Sequence, residues 1–223
     1  MATPKAGYTN LEGKKLPSVT TIMSRFKDSG GLLYWAFEQG KLAQQGVIAK
    51  LYDNAEKAAN IGTLAHSMVE KFVNGEDHME VIKTVELEAA TKALNAFQMF
   101  RDWHEQTNIE IISHYQEIQL VSERYQYGGT PDAIGKFKDK LILLDWKTSN
   151  AIYTDYMLQL AAYAILWEEN RGEKIEGFYL CRFSKDFPDF ATHYFDELEL
   201  AKKQFLLLRE CYDNDKQLAK RVR

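Results

Sequence analysis

The chain has 223 residues, of which 45% are hydrophobic and 13% aromatic, enough for one packed domain or one domain with a helical appendage. The formal net charge of −4 argues against a broad basic surface for nucleic acid, although it is compatible with an acidic metal site. The two cysteines, Cys181 and Cys211, exclude a zinc pattern and a disulfide framework. Because no stretch is apolar over the roughly 18 residues of a membrane span, we expect a cytoplasmic protein outside the membrane.

The first half of the chain is predicted to be mostly helical after a polar, loop-like start over residues 1–16. Ser18 is placed to cap the helix that follows it. Further helices are expected over residues 32–53, with a bend at glycines, over 54–73, and over 80–106 after a turn.

The helix predicted over residues 54–73 carries a histidine away from its apolar stripe. His66 and Glu70 are four residues apart, so they share one helical face. A lone histidine on a helix is usually a surface residue or a satisfied core residue, and the spacing alone leaves that interpretation open.

Three strands are predicted next. Residues 109–121 alternate in part and predict the first strand, in which Glu117 could be an ordinary exposed side chain. Residues 127–137 and 141–146 predict a hairpin with a turn over 138–140. The apolar run in the second strand of this hairpin is typical of a buried central strand.

Two carboxylates are expected to meet in this hairpin. Pairing of the strands brings Asp132 to the end of the second strand, where Asp145 and Lys147 project from one face. Burying a carboxylate is costly unless it is paired or holds a cation. Asp132 and Asp145 could form an oxygen site for Mg²⁺ or Mn²⁺, although Asp145 and Lys147 alone could equally be an ordinary strand-end ion pair.

A helix over residues 156–170, strands over 175–183 and 190–195, and a helix over 197–221 complete the chain. Gln159 and Tyr163 share one helical face and could simply border the core. The order of elements predicts an α/β fold with a mixed central sheet flanked by helices.

Four segments together resemble the PD-(D/E)XK nuclease superfamily, and most of all its RecB-like exonuclease branch. They are the helix with Gly62 and His66, Gly129-Thr130-Pro131-Asp132, Asp145-Trp146-Lys147-Thr148-Ser149, and Gln159 with Tyr163. The resemblance implies a restriction-endonuclease-like core over residues 108–223 and an N-terminal helical region over 1–107 that covers the active site, together one compact domain. Two cysteines cannot hold the four-cysteine iron–sulfur cluster of some relatives.

The resemblance also implies roles for individual residues. Asp132, Asp145, His66 and the backbone carbonyl of Trp146 would bind one or two Mg²⁺ or Mn²⁺ ions, and Lys147 would orient the attacking water. Gln159 and Tyr163 would bond catalytic groups or the substrate. The remaining implied residues are Thr148 and Ser149 on the scissile phosphate, Glu70 and Glu117 supporting the metal ligands, and Ser18 or Thr20 contacting DNA.

The function that follows is a metal-dependent DNA exonuclease preferring single-stranded ends, acting in recombination, repair or replication. Tyr153, Tyr156 and Trp146 are available for base stacking, although Trp146 could equally belong to the core. A structure-specific or restriction-type endonuclease is the alternative enzyme. An inactive DNA-binding or assembly protein is the alternative from another class, and the absence of a P-loop pattern argues against a fused helicase.

Overall fold

The computed structural model describes residues 7–27, 30–48, 53–149, 151–187 and 189–222. The N-terminal half contains a small hairpin and then helices. Its elements are β1 (Tyr8–Thr9), β2 (Lys15–Leu16), α1 (Val19–Arg25), α2 (Gly30–Gln44), α3 (Asp53–Val73), a 3-10 helix (His78–Ile82) and α4 (Leu87–Thr107).

The second half supplies the sheet and the helices of its other face. Its elements are β3 (Glu110–Gln116), β4 (Leu120–Ser122), β5 (Tyr127–Gly129), β6 (Ala133–Phe137), β7 (Lys140–Lys147), α5 (Asp155–Arg171), β8 (Gly177–Phe183), β9 (Phe190–Phe195) and α6 (Glu199–Arg221). Across the described part of the chain, every helix is too short or too polar to cross a membrane.

The central sheet is mixed and has five strands in the order β3-β6-β7-β8-β9. Strand β7 pairs antiparallel with β6 and parallel with β8, so it is the central strand, as its apolar run predicted. Lys138 and Asp139 both have positive φ, which makes the β6–β7 connection a tight two-residue turn of the type that hairpins favour.

Helices cover both faces of the sheet, which confirms the predicted α/β fold. Residues such as Ile134 and Leu143 pack against α5 and α6, whereas Ile142, Leu144 and Trp146 pack against α3 and α4. Because successive strand residues point to opposite faces, Asp145 and Lys147 lie on the side of α5.

Three predictions for the N-terminal half were wrong in detail. Residues 7–16 form the β1–β2 hairpin rather than a loop, and residues 1–6 lie outside the described residues. The helix predicted over 32–53 ends at Gln44, before the positive φ of Gly46, and residues 49–52 lie outside the described part. The helix predicted over 80–106 is divided, because Asp77 caps a separate 3-10 helix through the N–H of Met79.

Two predicted strands are broken, and the breaks face each other. The strand predicted over 109–121 stops at Glu117, whose φ of 47° is left-handed. The strand predicted over 127–137 is interrupted at 130–132, where Pro131 has no N–H to offer a ladder. The outer pieces, β4 and β5, pair with each other in a separate sheet.

Candidate active site

The two breaks bring Glu117 and Asp132 together. The N–H of Glu117 donates to the carbonyl of Asp132 across 3.1 Å, and the β3–β6 register shifts immediately before this bond. A left-handed φ at a glutamate costs energy, of the order of 1–3 kcal/mol, and such strain concentrates at functional sites. The strain turns Glu117 towards Asp132 instead of leaving it exposed on a regular strand.

Asp132 lies buried opposite Asp145. The β6–β7 ladder ends where Ala133 pairs with Leu144, and Asp132 and Asp145 are the residues just beyond that pair. The two are close enough for the charge of Asp132 to raise the pKa of Asp145. Asp132 Oδ2 accepts the N–H of Trp146 at 2.7 Å. Asp132 Oδ1 has no hydrogen-bond partner among the described residues, although such an orphan costs about 1–3 kcal/mol.

His66 approaches Asp132 from helix α3. Its Nδ1 lies 3.6 Å from Asp132 Oδ1, too far for a hydrogen bond, and it has no hydrogen-bond partner within the described ranges. Gly62, one turn earlier, makes this approach possible. A Cβ added at Gly62 would lie 2.8 Å from Thr148 Oγ1, so a side chain there would force α3 or the Thr148 side chain to shift.

Asp145 and Lys147 form a buried ion pair on the regular strand β7. Lys147 Nζ lies 2.5 Å from Asp145 Oδ2 and 4.9 Å from the ring centre of Tyr156. Burial opposes the charge of Lys147, but Asp145 and Asp132 together raise its pKa, so the amine stays protonated. Burial raises the pKa of Asp145 to about 6, with Lys147 opposing the shift and Asp132 adding to it.

The carboxylates repel one another. Burial raises the pKa of Glu117 to about 8, and the charge of Asp132 adds to the shift. Burial would also raise the pKa of Asp132, but His66 and Lys147 outweigh it and lower that pKa. The fold therefore opposes the ionisation of Glu117, Asp132 and Asp145 all together.

This geometry fits a divalent cation. One ligand atom from each of His66, Glu117 and Asp132 lies within 4.8 Å of the other two. His66 Nδ1 and Asp132 Oδ1 are both buried without a hydrogen-bond partner among the described residues. Carboxylate oxygens with one imidazole form a donor set suited to Mn²⁺ and acceptable to Mg²⁺. Glu117, assigned by resemblance to a supporting position, stands among the potential ligands. No local pattern indicated that Glu117 would be a potential ligand, because the apolar and polar residues around it alternate as in an ordinary strand.

Gln159 and Tyr163 are both buried on α5. Gln159 Nε2 donates to the Tyr163 hydroxyl at 2.9 Å. A Cβ added at Gly129 would lie 2.6 Å from Tyr163 Cε1, so the ring packs on the backbone of β5. Burial and the charge of Asp145 both raise the pKa of Tyr163, which keeps its hydroxyl neutral. Through the contact of the Tyr163 ring with Gly129, this pair packs against β5, the strand that leads to Asp132.

The remaining predicted residues lie around this centre. Thr148 is half-buried against Gly62, and Ser149 Oγ donates to the carbonyl of Ala151 at 2.8 Å. Glu70 is exposed but close enough to raise the pKa of Glu117 further. Ser18 is buried as the N-cap of α1, accepting the N–H of Thr21.

Trp146 is a core residue, which decides between the two alternatives left open for it and excludes its ring from base stacking. The side chain is buried, and its ring centre lies 5.4 Å from that of Phe100 and 5.6 Å from that of Trp103. Trp146 points to the α3–α4 face because it alternates with Asp145 and Lys147 along β7.

The sequence matches the family model of the PD-(D/E)XK nuclease superfamily over residues 32–220, and the chain belongs to this superfamily. The predicted resemblance to this superfamily is thereby confirmed. A comparison with curated proteins gave no match.

Several solved structures are similar to part of this chain. A candidate exonuclease from Eubacterium rectale is 15% identical, with a TM-score of 0.45, over 68% of this chain and 64% of its own. This chain therefore spans less than two thirds of that protein. LHK-Exo in complex with dAMP is 11% identical, with a TM-score of 0.37, over 74% of this chain and 97% of its own. SSO0001 is 17% identical, with a TM-score of 0.35, over 66% of this chain and 70% of its own.

Proposed function

We propose that the protein is a metal-dependent deoxyribonuclease of the RecB-like branch that hydrolyses DNA from a free end, preferably of a single strand, in recombination, repair or replication. The observation that carries the proposal is the convergence of His66, Glu117 and Asp132 on one point beside the Asp145–Lys147 pair. A structural ion pair would not require a second buried carboxylate opposite it, nor a strained glutamate aimed at the same point.

His66, Glu117, Asp132 and Asp145 would hold one or two divalent cations, with the backbone carbonyl of Trp146 as a further ligand. A bound Mg²⁺ or Mn²⁺ supplies a Lewis acid and lowers the pKa of water. Because an imidazole is among the ligands, Mn²⁺ should support activity at least as well as Mg²⁺. His66→Ala should lower Mn²⁺ affinity in calorimetry, and unchanged affinity would remove His66 from the site.

Hydrolysis forms a bond between a water oxygen and phosphorus, breaks one bond from phosphorus to a sugar oxygen, and transfers a proton to that departing oxygen. Lys147 is protonated and held by Asp145, so it can orient the water and offset the charge that develops on the phosphate oxygens. Thr148 and Ser149 follow Lys147 and would hydrogen-bond the phosphate.

The preference for a single strand rests on the surface beside Lys147. Tyr153 is 50% exposed, and its ring centre lies 5.7 Å from that of Tyr156, which in turn lies beneath Lys147. Exposed rings can stack unpaired bases, at about 1–3 kcal/mol per base. With a net charge of −4, the protein has little with which to hold a long duplex through its phosphates.

One experiment separates the candidate functions. The same single-stranded sequence is supplied as a closed circle and as an end-labelled linear strand, beside a duplex, with Mn²⁺ at low salt. We expect only the linear single strand to be degraded rapidly, and chelation by EDTA to stop the reaction. Equal rates on circle and line would indicate an endonuclease, whereas binding without cleavage would indicate the inactive alternative. Asp132→Asn serves as the control for contaminating nuclease.

A further inference from the structure

The strand that leads to Asp132 is held between two tyrosine rings. A Cβ added at Gly129 would meet the ring of Tyr163, and a Cβ added at Gly128 would overlap the ring of Tyr8. Since successive strand residues point to opposite faces, the two rings press on β5 from opposite sides. Tyr163 belongs to the motif on α5, whereas Tyr8 comes from the N-terminal hairpin, outside the residues 32–220 that match the family model.

The ring of Tyr8 contacts Gly128 in β5, and its hydroxyl contacts a residue just after β5. The hydroxyl lies 2.8 Å from Thr130 Oγ1, a buried hydrogen bond between residues 122 positions apart in the sequence. Thr130 stands two residues before Asp132, and the intervening Pro131 has a fixed φ that leaves little freedom between them. A constraint on Thr130 would therefore act on Asp132 through a short segment with one backbone angle fixed.

The position of Tyr8 is itself fixed by the way the hairpin docks. Asn10 Nδ2 donates to Gln126 Oε1 at 3.1 Å, and the N–H of Leu11 donates to Glu123 Oε1 at 2.8 Å. The N–H of Gly128 donates to the carbonyl of Pro17 at 3.0 Å. The first two bonds attach the turn of the hairpin to the β4–β5 turn, and the third attaches the residue after β2 to β5. Tyr8 is buried against β5.

We propose that Tyr8 is a positioning residue for the metal site, and that its hydroxyl holds Thr130, and through Pro131 holds Asp132, in register with His66 and Glu117. This inference rests on the metal site proposed above. Hydrogen-bond partners of metal ligands commonly change metal affinity by about 10–100-fold when they are removed. Tyr8 acts one step further away, so about a tenfold loss of Mn²⁺ affinity is expected from Tyr8→Phe.

Tyr127→Phe provides a matched control. The Tyr127 hydroxyl is also buried, and it donates to the carbonyl of Ala162 at 2.9 Å on α5. Both substitutions remove one buried hydroxyl and keep the ring, so both should lower the melting temperature to a similar extent. Only Tyr8→Phe should weaken Mn²⁺ binding, measured from the free Mn²⁺ signal by electron paramagnetic resonance.

Kinetics and two further variants complete the test. Tyr8→Phe should raise the half-saturating Mn²⁺ concentration for cleavage about tenfold and change turnover at saturating Mn²⁺ less than about twofold. Thr130→Val should reproduce the Mn²⁺ defect without adding to it in the double variant, and Thr130→Ser should retain wild-type affinity. Wild-type Mn²⁺ affinity in Tyr8→Phe or Thr130→Val would overturn the positioning role and leave the proposed function standing. Failure of the wild-type protein to bind Mn²⁺ would overturn both.

Discussion

Asp132 and Asp145 lie close together in one hairpin, but one is held by an interrupted strand and the other by a regular strand. Asp145 lies on β7, a regular strand with hydrogen-bonded neighbours on both sides. Asp132 lies in an interruption between β5 and β6, opposite the left-handed Glu117. The regular strand fixes Asp145 and Lys147 on one face of the sheet interior. The interrupted strands let Glu117 and Asp132 turn towards each other, which the alternating side chains of regular strands would not allow.

The two regions also differ in how their buried charges are balanced. On β7 the charge of Asp145 is balanced largely by Lys147. At the break, burial and the charge of Asp132 oppose ionisation of Glu117, and His66 and Lys147 favour ionisation of Asp132. We therefore expect substitution of Lys147 to act on turnover and substitution of Asp145 to act on both turnover and metal binding. Changes around the break should act on metal affinity and on the stability of the metal-free protein.

The largest effect is expected from Asp145→Asn. Cleavage should fall by at least about a thousandfold, because a metal ligand and the partner of Lys147 are lost together. The protein should stay folded, and its metal-free melting temperature at pH 8 should not fall. The reason is that the raised pKa of Asp145 makes its ionised form unfavourable in the fold. An unfolded variant in circular dichroism would show instead that Asp145 is a structural ion-pair partner.

Lys147→Ala should reduce turnover by at least about a hundredfold, the scale of one lost electrostatic stabiliser. DNA affinity measured with Ca²⁺ should change little, since the amine is directed at Asp145 rather than at solvent. A large loss of affinity with near-normal turnover would make Lys147 a phosphate clamp and contradict the role given to β7.

Gly62→Ala tests the approach of α3 to the break. The new methyl group would lie 2.8 Å from Thr148 Oγ1, so either Thr148 or α3 must shift, and a shift of α3 would carry His66 away from Asp132. We expect Mn²⁺ affinity to fall about tenfold in calorimetry. Gly40→Ala on α2 is the matched control, because nothing lies within 4 Å of its added methyl group. Equal Mn²⁺ affinity in both variants would mean that α3 can adjust without moving its histidine.

The smallest effect concerns pH. The pKa of Glu117 is raised to about 8 in the fold, above the ordinary value of about 4.3 for a glutamate in an unfolded chain. Between these values the folded state binds more protons, so the metal-free protein should lose stability as pH rises from about 4 to 8. Urea unfolding with EDTA should show this slope, reduced in Glu117→Gln and retained in Glu110→Gln. Saturating Mn²⁺ should offset the loss at pH 8, and a slope unchanged in Glu117→Gln would place the repulsion elsewhere.

Local patterns in the sequence were sufficient for the regular part of the molecule. The apolar run of β7 predicted a buried central strand, and the two-residue period of a strand placed Asp145 and Lys147 on one face. The helical period likewise placed His66 and Glu70 together on α3. Such features depend only on neighbours a few residues away, which is why the fold class and the Asp145-x-Lys147 strand could be predicted.

Only the tertiary structure decided how these pieces meet. Glu117 was expected on a plain strand, and it is the pairing of β4 with β5 outside the main sheet that breaks that strand and turns the carboxylate inward. Trp146 has a side chain suited to stacking or to the core, and the packing of α4 on the sheet buries it. The contact of Gly62 with Thr148 and the bond from Tyr8 to Thr130 join segments far apart in the chain. No local periodicity encodes such contacts, because they arise when independently formed elements pack against one another.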